Sequence, residues 1–217
     1  MNQLTFKFPF KTNYFEEDFY VSANNFEAYK LIETWPKWSS KFINIFGPSG
    51  CGKTHLANIL KKKIKSFFIK ASDLSNNSLP LTNLQECFII DEYQNNIDEK
   101  LFYSVLNQCH LSNQYIIINS LKPIQHFEVK LKDLKSRFNS FVNISIDLPT
   151  DELIKVIISK NFSDKQVKID DKLLSYILKN VERSYASIFD LIDKLDKLSL
   201  STGKSININL IKKVLNK

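Results

Sequence analysis

The 217-residue chain is short of glycine: it has four, where average usage near 7% would give about fifteen. Glycine-rich linkers are thereby excluded, and the sequence shows no repeats or low-complexity tract. Arginine is scarcer still, since Arg137 and Arg183 are the two arginines among 30 basic residues and the other 28 are lysines. Cys51, Cys87 and Cys109 are odd in number and lie 36 and 22 residues apart, with no C-x-x-C pair. That spacing argues against a disulfide framework or a zinc site and for a reducing compartment. Long apolar runs are missing as well. Tyr115-Ile116-Ile117-Ile118 is strand-sized, far short of the roughly 20 residues that span a bilayer. The first residues, MNQLTFKFPFK, lack a basic region followed by a long apolar stretch and make a poor signal peptide. A cytoplasmic location with no membrane contact is expected.

What is present is a globular composition, 43% hydrophobic and 24% charged. Lysine, asparagine, isoleucine and phenylalanine are abundant, as an AT-rich coding bias would produce. In such a chain lysine is habit, whereas a glycine or an arginine is a departure from habit. The net charge of +7 reads equally well as weak attraction to nucleic acid or as a solvated surface. Five continuous apolar segments, Phe42–Phe46, Phe67–Lys70, Cys87–Asp91, Tyr115–Asn119 and Val142–Ile146, have the form of strands covered on both faces. Helical patterns over Lys53–Lys65 and Asp98–Leu111 separate some of them, which indicates βαβ units and a parallel sheet. After Pro149 the pattern is helical only: Asp151–Asn161, Asp170–Asn180, Ser184–Leu200 and Asn207–Leu215. In the third of these, Tyr185, Ile188, Leu191, Ile192, Leu195 and Leu198 form one apolar stripe. The expected class is α/β, a three-layer parallel sheet with helices on both faces over 13–149, followed by a small all-helical domain over 150–217. Residues 1–12 precede both as a separate peptide.

Three of the four glycines lie within six residues, in Gly47-Pro48-Ser49-Gly50-Cys51-Gly52-Lys53-Thr54. This run matches G-x-x-x-x-G-K-[ST] and follows a strand and opens a helix, as a phosphate-binding loop requires. Its glycines allow close approach of backbone N–H groups to a phosphate, and the helix start adds a positive dipole end. Lys53 would reach the β- and γ-phosphates, and Thr54 would bind Mg²⁺. The strand Cys87-Phe-Ile-Ile-Asp91-Glu92 brings Asp91 towards Mg²⁺, with Glu92 placed to orient or polarise a water. Asn119, at the end of the fourth strand, would position water or sense the γ-phosphate; a strand-terminal turn residue is the plainer alternative. Cys51 is explained by its small size, and His55, one position after Thr54, by packing rather than catalysis. Trp35 and Trp38 are expected to pack before the first strand. Arg137 has the planar guanidinium suited to stabilising a transferring phosphoryl group; a structural ion pair with a carboxylate is the alternative. Arg183 is read either as approaching the nucleotide or as a capping or ion-pairing residue beside Glu182 or nearby aspartates. The opening Gln3-Leu4-Thr5-Phe6-Lys7-Phe8 has the form of a short docking peptide, or of an edge strand.

Together these residues resemble the AAA+ module of the DnaA family of replication initiators, and within it the short Hda-like members that promote hydrolysis of DnaA-bound ATP. The resemblance runs through Asp18-Phe19-Tyr20-Val21, Asn25, the loop GPSGCGKTHLA, FIIDE, Asn119-Ser120, Ser136-Arg137-Phe138 and the helical end. It implies ATP or ADP with Mg²⁺ as ligands, held by residues 47–55 (His55 included), Asp91 and Asn119, with Val21 near the adenine. It implies that Gln3, Leu4, Phe6 and Phe8 contact the DNA polymerase III sliding clamp (its β subunit). It implies too that Arg137 acts in trans on ATP held by DnaA, negatively regulating replication initiation, with Glu92 serving the chain's own nucleotide. Because the chain stops at Lys217 without a helix-turn-helix domain, DNA contact is expected to be indirect, through the clamp. Aligning the family's V-R-E-L-type run with Ser184-Tyr-Ala186-Ser-Ile puts Ala186 where a nucleotide-sensing arginine stands, so intrinsic ATPase activity and self-association stay open. A DNA-stimulated ATPase of the helicase-loader type is the alternative function.

Overall fold

The computed structural model describes residues 14–78, 85–95, 97–203 and 205–215. Five strands, β1 (Phe42–Phe46), β2 (Ser66–Lys70), β3 (Cys87–Tyr93), β4 (Tyr115–Ser120) and β5 (Val142–Ser145), form one parallel sheet in the order β2-β3-β4-β1-β5. The three central strands are apolar at nearly every position because both faces are covered. Phe88, Ile90, Ile116 and Ile118 point into a core with Phe102, Val105 and Leu106 of α3 (Glu99–Leu111) and Leu134 and Phe138 of α4 (Lys132–Asn139). The alternate residues Ile89, Ile117, Ile43 and Ile45 are equally buried. Helix α2 (Lys53–Lys63) buries Leu56, Ala57, Ile59 and Leu60 and packs with α1 (Phe26–Glu33).

Residues Tyr14–Asp147 form one compact unit, and the chain from Leu148 on belongs to a second. The second is built from α5 (Asp151–Asp164), α6 (Asp171–Asn180), α7 (Tyr185–Thr202) and α8 (Ile208–Val214). Each helix starts where a short polar side chain caps it. Thr150, Asp170, Ser184 and Asn207 accept from the backbone N–H groups of Leu153, Leu173, Ser187 and Leu210. Tyr185, Ile188, Leu191, Ile192 and Leu195 of the α7 stripe are buried, four of them in the unit's core with Ile154, Ile158, Phe162, Ile177 and Ile211. Among the described residues no helix is long and apolar enough to cross a membrane.

The expected strands are all present: β1 has the expected bounds, and each of the other four has one end shifted by one or two residues. The sequence reading places no helix at α1 or α4, and both exist. Each is eight residues long, and α4 buries only Leu134 and Phe138, too few apolar positions to declare a period. Arg137 therefore sits in the last turn of a helix.

Candidate functional site

The strand order decides which side chains meet. β4 lies between β3 and β1, so the ends of these three strands carry Asp91, Asn119 and the loop after Phe46 in a row. Backbone closeness fixes the loop's first residue. A Cβ on Gly47 would lie 2.3 Å from the Ile146 carbonyl oxygen, an impossible approach for any side chain. Gly50 and Gly52 take φ values of 80° and 102°, which an L side chain rarely adopts. Helix α2 then begins with no side-chain cap, so no capping side chain takes up the first-turn N–H groups, which have no intrahelical partner in any helix.

Lys53 Nζ donates to the carbonyl oxygens of Gly47 (2.7 Å) and Pro48 (2.9 Å) and to Cys51 Sγ (3.6 Å). All are neutral acceptors, and its positive charge stays uncompensated within the loop. Cys51 is buried, and burial pushes its thiol above the ordinary range. Ser49 is exposed at the loop's tip. Thr54 Oγ1 donates to Asp91 Oδ2 at 2.8 Å, and Asn119 Nδ2 donates to Asp91 Oδ1 at 2.8 Å. Asp91 and Asn119 are 1% and 0% exposed, and Asn119 Oδ1 is buried with no hydrogen-bond partner. A buried acceptor without a donor marks a place for a water or another donor.

These features fit a Mg²⁺-nucleotide. A nucleoside phosphate would be held by the loop's backbone, by Lys53 and by the start of α2. The metal would be held by Thr54 with Asp91 behind it, and would supply charge neutralisation at the phosphates. Among the described residues no cluster of three or more His, Cys, Asp or Glu could hold a metal.

Glu92 follows Asp91 at an irregularity in the β3–β4 pairing, with φ 59°. Its carboxylate is exposed and paired with Lys70 Nζ at 3.0 Å. The segment expected near the adenine lies against α2: Phe19 Cε2 would be 2.9 Å from a Cβ on Gly52, and its ring makes an edge contact with His55. His55 Nε2 also meets the Phe15 carbonyl oxygen at 2.6 Å, so it joins this segment to α2. Buried Asn25 accepts from Ser22 N–H (2.8 Å) and donates to the Tyr20 carbonyl (3.0 Å), which shapes the turn at half-buried Val21. Trp35 and Trp38 pack edge-on against Tyr115 at the start of β4.

The two arginines have different partners. Arg183 makes a two-pronged contact with Asp151, through Nε at 2.8 Å and Nη2 at 3.2 Å. That pair lies inside the helical unit and holds the Asp151 carboxyl below its ordinary range. Arg137 donates through Nη2 to the side-chain oxygen of Asn107 on α3 at 2.9 Å, and among the described residues it makes no ion pair. The carboxylate pair considered for it from sequence is absent there.

Two polar residues that the sequence reading passed over also organise this unit. Asn44, 0% exposed in β1, donates to the Ile118 carbonyl and Ser120 Oγ and accepts from Ile124 N–H, each at 2.8 Å. Its signal was a polar residue at the centre of the run FINIF. Glu99 accepts from the N–H groups of Lys130 and Leu131 just before α4. Gln3, Leu4, Phe6 and Phe8 lie outside the described residues.

Residues 151–215 match the family model described as the Hda lid domain, and residues 43–138 match one described as RNA helicase. An uncharacterised protein of Haemophilus influenzae is 24% identical over 92% of this chain and 92% of its own length. The chromosomal replication initiator protein DnaA of Borreliella afzelii is 24% identical over 97% of this chain and 49% of its own. The chain thus spans about half the length of that relative. Among solved structures, domain III of Thermotoga maritima DnaA superposes with a TM-score of 0.78 at 20% identity, covering 96% of this chain and 98% of that one. AMPPCP-bound DnaA from Aquifex aeolicus superposes with a TM-score of 0.69 at 23% identity, covering 88% and 67%. The three-layer AAA+ fold and the helical lid are those expected from the sequence.

Proposed function

We propose that the chain, a DnaA/Hda-like AAA+ protein by its lid match and its similarity to DnaA, is a nucleotide-binding adaptor that controls replication initiation. The observation that carries this reading is an assembled phosphate site in the same chain as a helical unit matching the Hda lid. ATP or ADP with Mg²⁺ is the ligand. Gly47–His55, Asp91, Asn119 and Val21 are its contacts, in keeping with the AMPPCP held by the related DnaA.

The adaptor works on a partner. Gln3, Leu4, Phe6 and Phe8 dock on the sliding clamp, and Arg137 reaches ATP held by DnaA. Two observations support the arginine's role. It is one of two arginines in a lysine-rich chain, and its hydrogen-bond partner is a neutral amide that brings no counter-charge. An arginine supplied in trans is worth about 10³–10⁵ in hydrolysis rate. The chain's own turnover is slow on this reading, with Glu92 engaged by Lys70.

Two measurements test this. The purified chain should carry ADP or ATP, identified by chromatography after acid release. It should co-elute with the sliding clamp, and Gln3→Ala with Leu4→Ala should abolish co-elution. Unchanged co-elution removes the docking peptide from the account. Strong ATPase stimulation by single-stranded DNA without clamp binding would instead favour a helicase-loader type of activity.

A further inference from the structure

We infer that Asn107 is a positioning residue for Arg137. It holds the guanidinium by a neutral contact, so that the arginine is oriented with no carboxylate offsetting its charge when it meets a phosphoryl group. The inference rests on the reading of Arg137 given above and deepens it.

The first observation is geometric. Helix α3 holds α4 near both of its ends. At the start of α3, the Glu99 carboxylate accepts from Lys130 N–H at 2.9 and 3.0 Å and from Leu131 N–H at 2.7 Å, which fixes the entry to α4. Two turns further along α3, Asn107 Oδ1 accepts from Arg137 Nη2 at 2.9 Å, which fixes a side chain in the last turn of α4. Phe138, the next residue, is buried with Phe102 in the core between the two helices. The backbone beneath Arg137 is therefore anchored on α3 near both ends of α4, and the arginine's own side chain is the part left to be oriented. Asn107 removes part of it.

The second observation is chemical. A guanidinium has five N–H donors. The bond to Asn107 uses one, which leaves the others to fork onto phosphoryl oxygens. A carboxylate at the same place would hold the group equally well and would cancel the charge on which transition-state stabilisation depends. Arg183 illustrates the alternative: it is gripped by the Asp151 carboxylate through two nitrogens.

The experiment compares Asn107→Asp, Asn107→Ala and Arg137→Ala in DnaA-bound ATP hydrolysis with the DNA-loaded clamp, using the full chain over a range of concentrations. Asn107→Asp keeps an acceptor for Arg137, so the melting temperature should stay at the wild-type value. The maximal stimulated rate should fall ~10–100-fold, the scale of a misplaced or neutralised catalytic contact, while the half-saturating concentration stays put. Asn107→Ala should give a smaller loss in the same parameter. If both Asn107 variants stimulate at the wild-type rate while Arg137→Ala does not, Asn107 is a helix-packing residue and the inference is wrong. If Arg137→Ala itself stimulates normally, the underlying reading of Arg137 fails, and the inference with it. A lowered melting temperature for Asn107→Asp would likewise overturn the positioning role in favour of a structural one.

Discussion

Replacing Asn44 by alanine should be among the most damaging changes to the α/β unit, although Asn44 touches no part of the phosphate loop. The side chain is wholly buried in β1 and satisfies three groups at 2.8 Å. Ser120 Oγ loses little, because it still donates to the Lys122 carbonyl at 2.7 Å. The peptide N–H of Ile124 has no such reserve, and Ile124 is itself 0% exposed. Orphaning that donor costs about 1–3 kcal/mol, and each of the other two bonds is worth about 0.5–1.5 kcal/mol. Relaxation around the deleted amide makes these values less than additive, which leaves a net loss of roughly 2–4 kcal/mol. For a unit of this size that is a fall of about 6–15 °C in melting temperature. The assay is thermal unfolding of wild type and Asn44→Ala followed by circular dichroism, with urea unfolding as a check on the free energy. Ser120 follows Asn119 in the chain, so affinity for ADP should weaken too. A shift under ~2 °C would mean that the turn after β4 is held by other contacts, and the reasoning would be refuted.

Other changes have equally definite outcomes. Asn119→Ala removes the donor to Asp91 Oδ1 and should lower the Mg²⁺-dependent gain in nucleotide affinity by about 10–100-fold; calorimetry with ADP, with and without Mg²⁺, would contradict this if the gain were intact. Gly52→Ala forces a side chain to φ 102° with Phe19 only 2.9 Å away, a strain of about 1–3 kcal/mol that should appear as a lower melting temperature and weaker nucleotide binding. Arg183 depresses the Asp151 carboxyl below its ordinary value of 3.8. The pair's contribution is therefore present above that value and lost as pH falls through the depressed one. Arg183→Ala should reduce stability slightly at neutral pH, where both side chains are solvent-exposed, and the difference should close in strong acid.

How much of this could be read beforehand depends on whether a residue's role is local. The loop from Gly47 to Thr54 is legible because backbone geometry at a few consecutive residues determines it. The strands are legible because burial on two faces leaves unbroken apolar runs such as Cys87–Ile90. The α7 stripe repeats over enough turns to declare a helix. By contrast, α4 has two buried apolar residues and no period to detect. The partner of Arg137 lies on another helix, thirty residues away, and no spacing in the chain marks it. Asn44 was visible as a polar interruption of β1, but its three partners are brought to it only by the sheet order. Glu92 follows the same division: its adjacency to Asp91 is in the sequence, while its pairing with Lys70 comes from the parallel β2–β3 register that sets Lys70 opposite Asp91.

The most direct test of the account is the rate of hydrolysis of DnaA-bound ATP in the presence of DNA-loaded clamp, with wild-type chain and with Arg137→Ala at equal nucleotide occupancy. Wild type should accelerate hydrolysis, and Arg137→Ala, still folded and still bound to the clamp, should return it to the rate without the chain. Acceleration by Arg137→Ala equal to that of wild type would contradict the account.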